Sequence, residues 1–454
     1  MPHHLMERSQ GRVGELLAMP PLVAIWRLAI PTTIVMALAA ASNVASTWFV
    51  SRLGTAAIGA ISLVFPLSLL VTTVMAGGIG VGASSAVARA CGAGRPGEAG
   101  AVAAHALALA LGSGLGLALA AWGGVETLFR LMGAGGEVRE GAVRVALVLL
   151  GGSAITFLAG MFDSVLRGEG NVRLPAICSS GSLLGQIVLT PVLMFGCGLG
   201  LVGAPLAMLA CQLASLLPRA WWVFGGRSAV RPRFVRSQGW APLRAILRVG
   251  VPAALAASIA NLGTMVLTGV LARFGATTLA AYGLALRFDF VLLSFAFGVG
   301  AAVLTLVGMA AGARRVDRVR AFVLRGGTVI VALIVVPAIV LVWRPELWLG
   351  IFTADPGVHA VGRNYFRVVG PSYPFLGVSM VVAFAFQGLG RASIPTVFLA
   401  VRMAGVLATA MVLTGRYGLG TQAVFAAIAA GNVVSAVGMG WLYRRLARRL
   451  DASP

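Results

Sequence analysis

About twelve apolar runs, each long enough to cross a bilayer, divide this chain almost end to end. Their approximate limits are 24–50, 57–83, 101–122, 142–166, 174–196, 199–224, 247–271, 278–310, 320–343, 364–388, 394–414 and 419–443. A helix needs ~20 apolar residues to span the hydrocarbon layer. The pattern therefore predicts an all-α integral membrane protein with about twelve transmembrane helices. Only 11% of the residues are charged and 59% are apolar, where a soluble domain carries roughly 25% charge. Too little polar surface exists to coat a globule in water. A soluble enzyme, a secreted disulfide scaffold and a disordered chain are excluded.

The charge that exists is one-sided. There are 35 basic residues against 13 acidic ones, a net charge of +22, and every basic residue is Arg. Such an excess can mark a nucleic-acid binder, but here the arginines sit singly or in small groups in the gaps between apolar runs. That is the positive-inside signal, and it leaves no nucleic-acid partner. Arg227, Arg231, Arg233, Arg236 and Arg244 lie between spans 6 and 7, Arg314, Arg315, Arg318 and Arg320 after span 8, and Arg444, Arg445, Arg448 and Arg449 in the tail. With twelve spans all three groups fall on one side, so both termini are expected in the cytoplasm. The opposite gaps mix in Glu126, Glu137, Glu140, Glu346 and Asp355. No small-residue cleavage site follows an apolar core near the N-terminus, so the first span is expected to serve as the targeting signal. Cys91, Cys178, Cys197 and Cys211 lack metal-ligand spacing, and His3, His4, His105 and His359 form no i, i+4 pair, so no metal site is expected.

The runs are duplicated. WRLAIP, ending at Pro31, matches LRVGVP, ending at Pro252, and RLGTAAIGA from Arg52 matches RFGATTLAA from Arg273; Gly77 then matches Gly298. RGEGNVRLP from Arg167 matches QGLGRASIP from Gln387, and Gly198 and Gly200 match Gly418 and Gly420. These matches, offset by 221 positions in the first part of the repeat and by 220 in the rest, identify an internal repeat. Each repeat holds six spans, an even number, so both enter and leave on the same side, as in parallel-repeat transporters. The expected organisation is a cytoplasmic segment 1–23, a lobe 24–224, a cytoplasmic linker 225–246, a lobe 247–443 and a cytoplasmic tail 444–454. Two such lobes would leave a central cleft for a small-molecule substrate.

Little soluble chemistry is encoded. Gly198 to Ala204 spells the dinucleotide fingerprint, but between apolar spans and with no acid about 20 residues on. No phosphate-binding G-x-x-x-x-G-K-[ST] loop exists in a chain without Lys, and no cofactor is expected. Ionisable groups inside lipid are the sharper signal, because a charge at the bilayer centre costs ~2.5–3.5 kcal/mol and is functional by default. Two acids fall inside spans, Asp163 and Asp289. Asp163 stands four residues before Arg167 and is read either as an ordinary i, i+4 pair or as an ion carrier. Asp289 lies about a dozen residues, roughly 18 Å, into span 8. It is read either as a structural counterion of Arg287 or Arg402, or as a coupling group, since a carboxyl in a low-dielectric cleft can take up and release a proton. Asn43, Ser46, Thr47, Gln186 and Thr190 in the first half, and Asn261 and Gln387 in the second, are candidate substrate contacts with Arg287 and Arg402. Each hydroxyl or amide can equally bond back to its own helix.

These blocks resemble the multidrug and toxic compound extrusion (MATE) family, within the multidrug/oligosaccharidyl-lipid/polysaccharide flippase group. The resemblance covers nearly the whole chain through RLGTAAIGA, CGAGRPGEA, LRGEGNVRLP, GCGLGLVGAPLA, AAYGLALRFD and GMAAGARRVDR. It implies cation-coupled antiport of organic, often cationic, drugs by alternating access, with a coupling proton or sodium ion, from a monomer in the lipid of a bacterial inner membrane. The acids of relatives are displaced here. Ser46 stands at the place of a span-1 Asp, Gln186 and Thr190 stand for the Asn and Asp of an N-x-x-L-D-P pattern, and Ala260 occupies the place of a span-7 Glu. Asp289, after an Arg as in the R-[IL]-E turn of relatives, remains as the coupling candidate. Two competing readings stand beside it: a flippase for an anionic lipid-linked precursor, and a membrane-embedded transferase, which would need paired acids or a His/Ser system that no span holds.

Overall fold

In the computed structural model, residues 3–131, 136–234 and 239–451 are described, and within them every regular element is helical. The elements are α1 (His3–Ala18), α2 (Pro21–Ser51), α3 (Thr55–Thr72), α4 (Gly80–Gly92), α5 (Pro96–Leu131), α6 (Gly136–Gly151), α7 (Ser153–Gly168), α8 (Arg173–Pro191) and α9 (Gly203–Phe224). There follow α10 (Ala241–Ala272), α11 (Ala276–Gly312), α12 (Val316–Trp343), the single turn α13 (Glu346–Leu349), α14 (Pro356–Val369), α15 (Tyr373–Gly388), α16 (Ser393–Gly415) and α17 (Thr421–Asp451). A π-helical stretch, Thr73–Ile79, fuses α3 to α4. Among the described residues, eleven helices are long and apolar enough to span a membrane, and twelve if α6 and α7, bent by 44° at Gly152, count as one. The expectation of an all-α multi-pass membrane protein is met.

The chain forms two compact units. The first comprises Met1–Leu16 and Ile30–Ala254, the second Leu17–Ala29 and Leu255–Pro454. The first helix of each repeat is thus shared out. The opening of α2, up to Ala29, goes with the second unit, and the opening of α10, through Ala254, goes with the first. Within the first unit the start of α10 packs backbone to backbone on α4. A Cβ on Gly82 would stand 2.3 Å from the Ile246 carbonyl oxygen, so only glycine permits this crossing, the close approach that small residues allow between helices in lipid. Within the second unit the Arg318 guanidinium on α12 donates to the Met19 carbonyl, 3.1 Å away, just before α2.

Each unit has its own core. In the first, Val64, Val125, Phe129, Val145 and Leu150 interlock α3, α5 and α6, and Phe162, Leu166 and Val223 join α7 to α9. In the second, α11 packs along α15, with Phe297 edge-on to Phe384. The repeat is visible in the backbone. Gly54 and Gly275 both turn the chain at φ 99°, Gly170 and Gly390 at 82° and 76°, and Gly198 and Gly418 at 67° and 62°. Gly94 (68°) is matched by Arg314 (55°), the one described non-glycine residue in this region.

Beyond the spans, Glu169 after α7 ties down two segments. One of its oxygens accepts from the Ser228 hydroxyl (2.6 Å) and the Ala229 and Val230 amides (2.8 and 3.2 Å). The other accepts from Arg12 of α1 at 3.2 Å. The segment after α9 and the N-terminal helix are both strapped to one buried carboxyl.

Candidate functional site

The second unit gathers its polar groups around Asp289. Three of the chain's five tyrosines meet there. Tyr365, near the end of α14, donates to Oδ2 at 2.9 Å, and Tyr373, opening α15, donates to Oδ1 at 2.6 Å. The two helices are separated by a single 3-10 turn, Gly370–Ser372, which brings both phenols to one carboxyl. Tyr282, two turns before Asp289 on α11, packs its ring on Tyr365 at 5.9 Å. Phe288 packs on Trp348, Phe366 and Tyr373 to complete an apolar collar. Tyr282, Tyr365 and Tyr373 are buried, and Asp289 is half-buried.

Neither arginine expected as a counterion bonds to Asp289. The Arg402 guanidinium donates to the Asn432 side-chain oxygen, and Asn432 Nδ2 donates to Ser372 Oγ at 2.8 Å. Ser372 is bonded in turn to the Val369 carbonyl at 2.6 Å. The Arg402 Nε is buried without an acceptor. The cation and the carboxyl therefore stand at opposite ends of one polar path, Arg402–Asn432–Ser372, which runs into the turn that carries Tyr373. Arg287 is exposed and lies over the Phe352 ring, 5.5 Å from its centroid. Its position two residues from Asp289 turns it to another face of α11. The reading of Asp289 as a structural counterion of either arginine is corrected: its donors are uncharged.

In the first unit Asp163 is locked. Arg219 of α9 reaches it with Nε at 2.7 Å from Oδ1 and Nη2 at 3.3 Å from Oδ2, and Ser179 donates to Oδ2 at 3.0 Å. Arg219 also holds the Ser179 and Ser215 hydroxyls, at 2.8 and 2.6 Å. The expected i, i+4 partner, Arg167, stands 3.7 Å away and is the outer member of the cluster. The Arg219–Asp163 fork is the planar geometry that guanidinium and carboxylate favour.

The remaining candidates are dispersed. Asn43 and Thr47 donate to carbonyls one turn back on α2, Ala39 and Asn43, at 3.0 and 2.9 Å. Ser46 is half-buried on the same helix. Gln186 meets α2 through the Ser42 hydroxyl at 3.4 Å, and one turn on Thr190 buries a hydroxyl that has no partner. Asn261 is exposed on α10, and Gln387 is half-buried at the end of α15. Tyr365, Tyr373, Asn432 and Arg219 were missed in the sequence. Their one signal is a hydrogen-bonding side chain within an apolar run. Among the described residues no group of three or more His, Cys, Asp or Glu could hold a metal.

The sequence model of the MatE family matches residues 31–192 and 252–412. The chain is 25% identical over 457 aligned residues to the FAD transporter of Shewanella oneidensis, covering 99% of this chain and 98% of that one. It is 24% identical over 266 residues to the probable multidrug resistance protein NorM of Thermotoga maritima, a match spanning 58% of this chain and 57% of that protein. Among solved structures, an outward-facing multidrug resistance MATE family transporter superposes with a TM-score of 0.90 at 27% identity, over 97% of this chain and 98% of that one. A MOP superfamily transporter from Pyrococcus furiosus, described as having a binding pocket of reverse polarity, gives 0.89 at 27% identity over 96% and 98%. The family match falls twice, once on each repeat, and like the superposition takes in most of the chain: it belongs to the MatE family.

Proposed function

We propose that this protein is a secondary active exporter of organic compounds, coupled to a cation gradient and working by alternating access, with Asp289 as the coupling carboxyl. The curated relatives include multidrug resistance and multidrug export proteins and the solved relatives are transporters, which supports export over membrane-embedded transferase chemistry. The observation that carries the assignment is the cage. Asp289 is an acid inside an apolar helix, held by two phenols and by no described cation. Neutral donors can hold a carboxylate without neutralising it, so its charge still changes when a proton arrives. Asp163, forked by Arg219, is already compensated and serves as a structural lock.

In this reading the halves 24–224 and 247–443, joined by 225–246, expose the cargo to either side in turn. Asn43, Ser46, Thr47, Gln186, Thr190, Asn261 and Gln387 offer neutral contacts to varied cargoes. The monomer lies in the inner membrane with both termini in the cytoplasm. One proton crossing 100 mV supplies ~2.3 kcal/mol, and one unit of pH gradient adds ~1.36 kcal/mol. The test is purified protein in liposomes with an imposed proton gradient and a cationic dye. Asp289→Asn, an isosteric change, should insert normally and lose gradient-driven efflux. Wild-type efflux in that variant removes the assignment, and a dependence on sodium alone reassigns the coupling ion.

A further inference from the structure

A cavity of about 390 Å³ opens within the second unit beside Arg287. One wall is a single face of α11, Ala280, Gly283, Leu284 and Arg287, and the other is Phe352 and Thr353 from the loop before α14. Gly283 faces open space on this wall: a Cβ there would meet nothing within 4 Å. Arg287 enters with its guanidinium carbon over the Phe352 ring, 5.5 Å from the centroid; Phe352 in turn packs on Trp348 at 5.3 Å, and Trp348 is anchored by its Nε1 donating to the Leu284 carbonyl at 2.9 Å. The guanidinium thus stands over an anchored aromatic ring, and no hydrogen bond or ion pair to a described residue occupies its N–H groups.

The acids near this loop are committed elsewhere. Glu346 is paired with Arg363 at 2.7 Å. Asp355 caps α14 by accepting from the Gly357 amide at 2.8 Å. Asp289 is held by its two tyrosines. His359 is engaged with the Thr353 carbonyl at 2.8 Å. Arg287 lies eleven residues into an apolar helix, about 17 Å from its start, at a depth where an uncompensated charge is expensive. Thr353 aside, the side chains lining the cavity with it are apolar or aromatic.

We infer that this cavity binds the phosphate or carboxylate head of an amphiphilic anion, with Arg287 taking the acid group and the Phe352 side taking the apolar body. Planar guanidinium suits a two-oxygen acid, and the volume is that of a small-ligand site. The inference stands apart from the coupling role of Asp289. A bilayer phospholipid and a soluble amphiphile share this head-group chemistry, so both are tested.

Calorimetric titration of detergent-purified protein with octyl phosphate, and with octyltrimethylammonium as the opposite charge, reads the site directly. Wild type should bind octyl phosphate and prefer it clearly over the ammonium. Arg287→Ala should weaken octyl phosphate tenfold or more, Arg287→Lys should keep part of the affinity, and Asp289→Asn should leave it unchanged even where transport is lost. Native mass spectrometry of protein from phosphatidylglycerol–phosphatidylcholine nanodiscs supplies the lipid arm. Phosphatidylglycerol retained by wild type and lost in Arg287→Ala places the head group in the bilayer, and octyl phosphate binding without lipid retention places it in solution. Equal octyl phosphate binding by wild type and Arg287→Ala overturns the proposal. So does the absence of any preference for phosphate in wild type, a result that does not depend on how any variant folds.

Discussion

Asp289 and Asp163 look alike in the sequence, each an acid in an apolar run, and they differ in what surrounds them. One has phenols, the other a forked arginine. A hydrogen bond to a charged group is worth about 1.5–3 kcal/mol. Tyr365→Phe and Tyr373→Phe should therefore each lower gradient-driven efflux by about tenfold with normal insertion, the double variant approaching Asp289→Asn; liposome flux measurements read this. At the other acid, Arg219→Gln removes the buried cation that forks the carboxylate and leaves only the outer Arg167, 3.7 Å away. Such a loss costs about 3–5 kcal/mol, and adding Asp163→Asn should recover most of it, as followed by thermal unfolding in detergent. The acids were legible because charge in lipid is costly and stands out against an apolar run. Their partners were not, because they lie 56, 76 and 84 positions away and no spacing rule links residues on different helices.

Hydropathy located the helices well and their ends less well. The first run, 24–50, became α2 at Pro21–Ser51, and the long block 174–224 does divide near Gly196–Gly200. The run 364–388 extends back to Pro356, because the first turns of α14 set His359 and Arg363 among Val358, Ala360 and Val361 and so break the apolar signal. The helix α1 was not anticipated: it holds Glu7, Arg8, Arg12 and Glu15 and reads as a solvated segment. Its role shows only through Glu169. Burial pushes that carboxyl above the usual range, while Ser228, Arg12 and the Ala229 and Val230 amides pull it back down. A raised folded-state value means its contribution to stability is complete below the unfolded carboxyl range and fades as pH rises through the raised value. Glu169→Gln, neutral at every pH, should flatten that part of the stability profile. Melting curves of both proteins across mildly acid to neutral pH check this; parallel profiles would contradict it.

Across the whole chain the duplication governs backbone more than chemistry. The left-handed turns recur in register, and Gly54 and Gly275 share one φ. Both sit in open space, so alanine there costs only backbone strain, about 1–3 kcal/mol. Gly54→Ala and Gly275→Ala should lower unfolding temperature by similar amounts and add in the double variant. The polar clusters do not recur. Ser68, Val145 and Ser153 stand at the repeat positions of Asp289, Tyr365 and Tyr373, so the caged acid exists in one half only. The repeat was readable from Pro31 and Pro252 because matching blocks keep register. The redistribution of α2 and α10 between units was not, since hydropathy is blind to which bundle a helix joins.

That redistribution has a consequence for ancestry and for dissection. Each half lends the opening of its leading helix to the other, the relation seen between subunits that swap an identical element. A single-repeat ancestor with this architecture would have been a reciprocally swapped homodimer, and fusing two copies would have fixed the exchange within one polypeptide. Cutting the chain into its halves would leave each fragment with a vacant groove and an orphaned stub, so the halves should become soluble and monodisperse in detergent only when produced together.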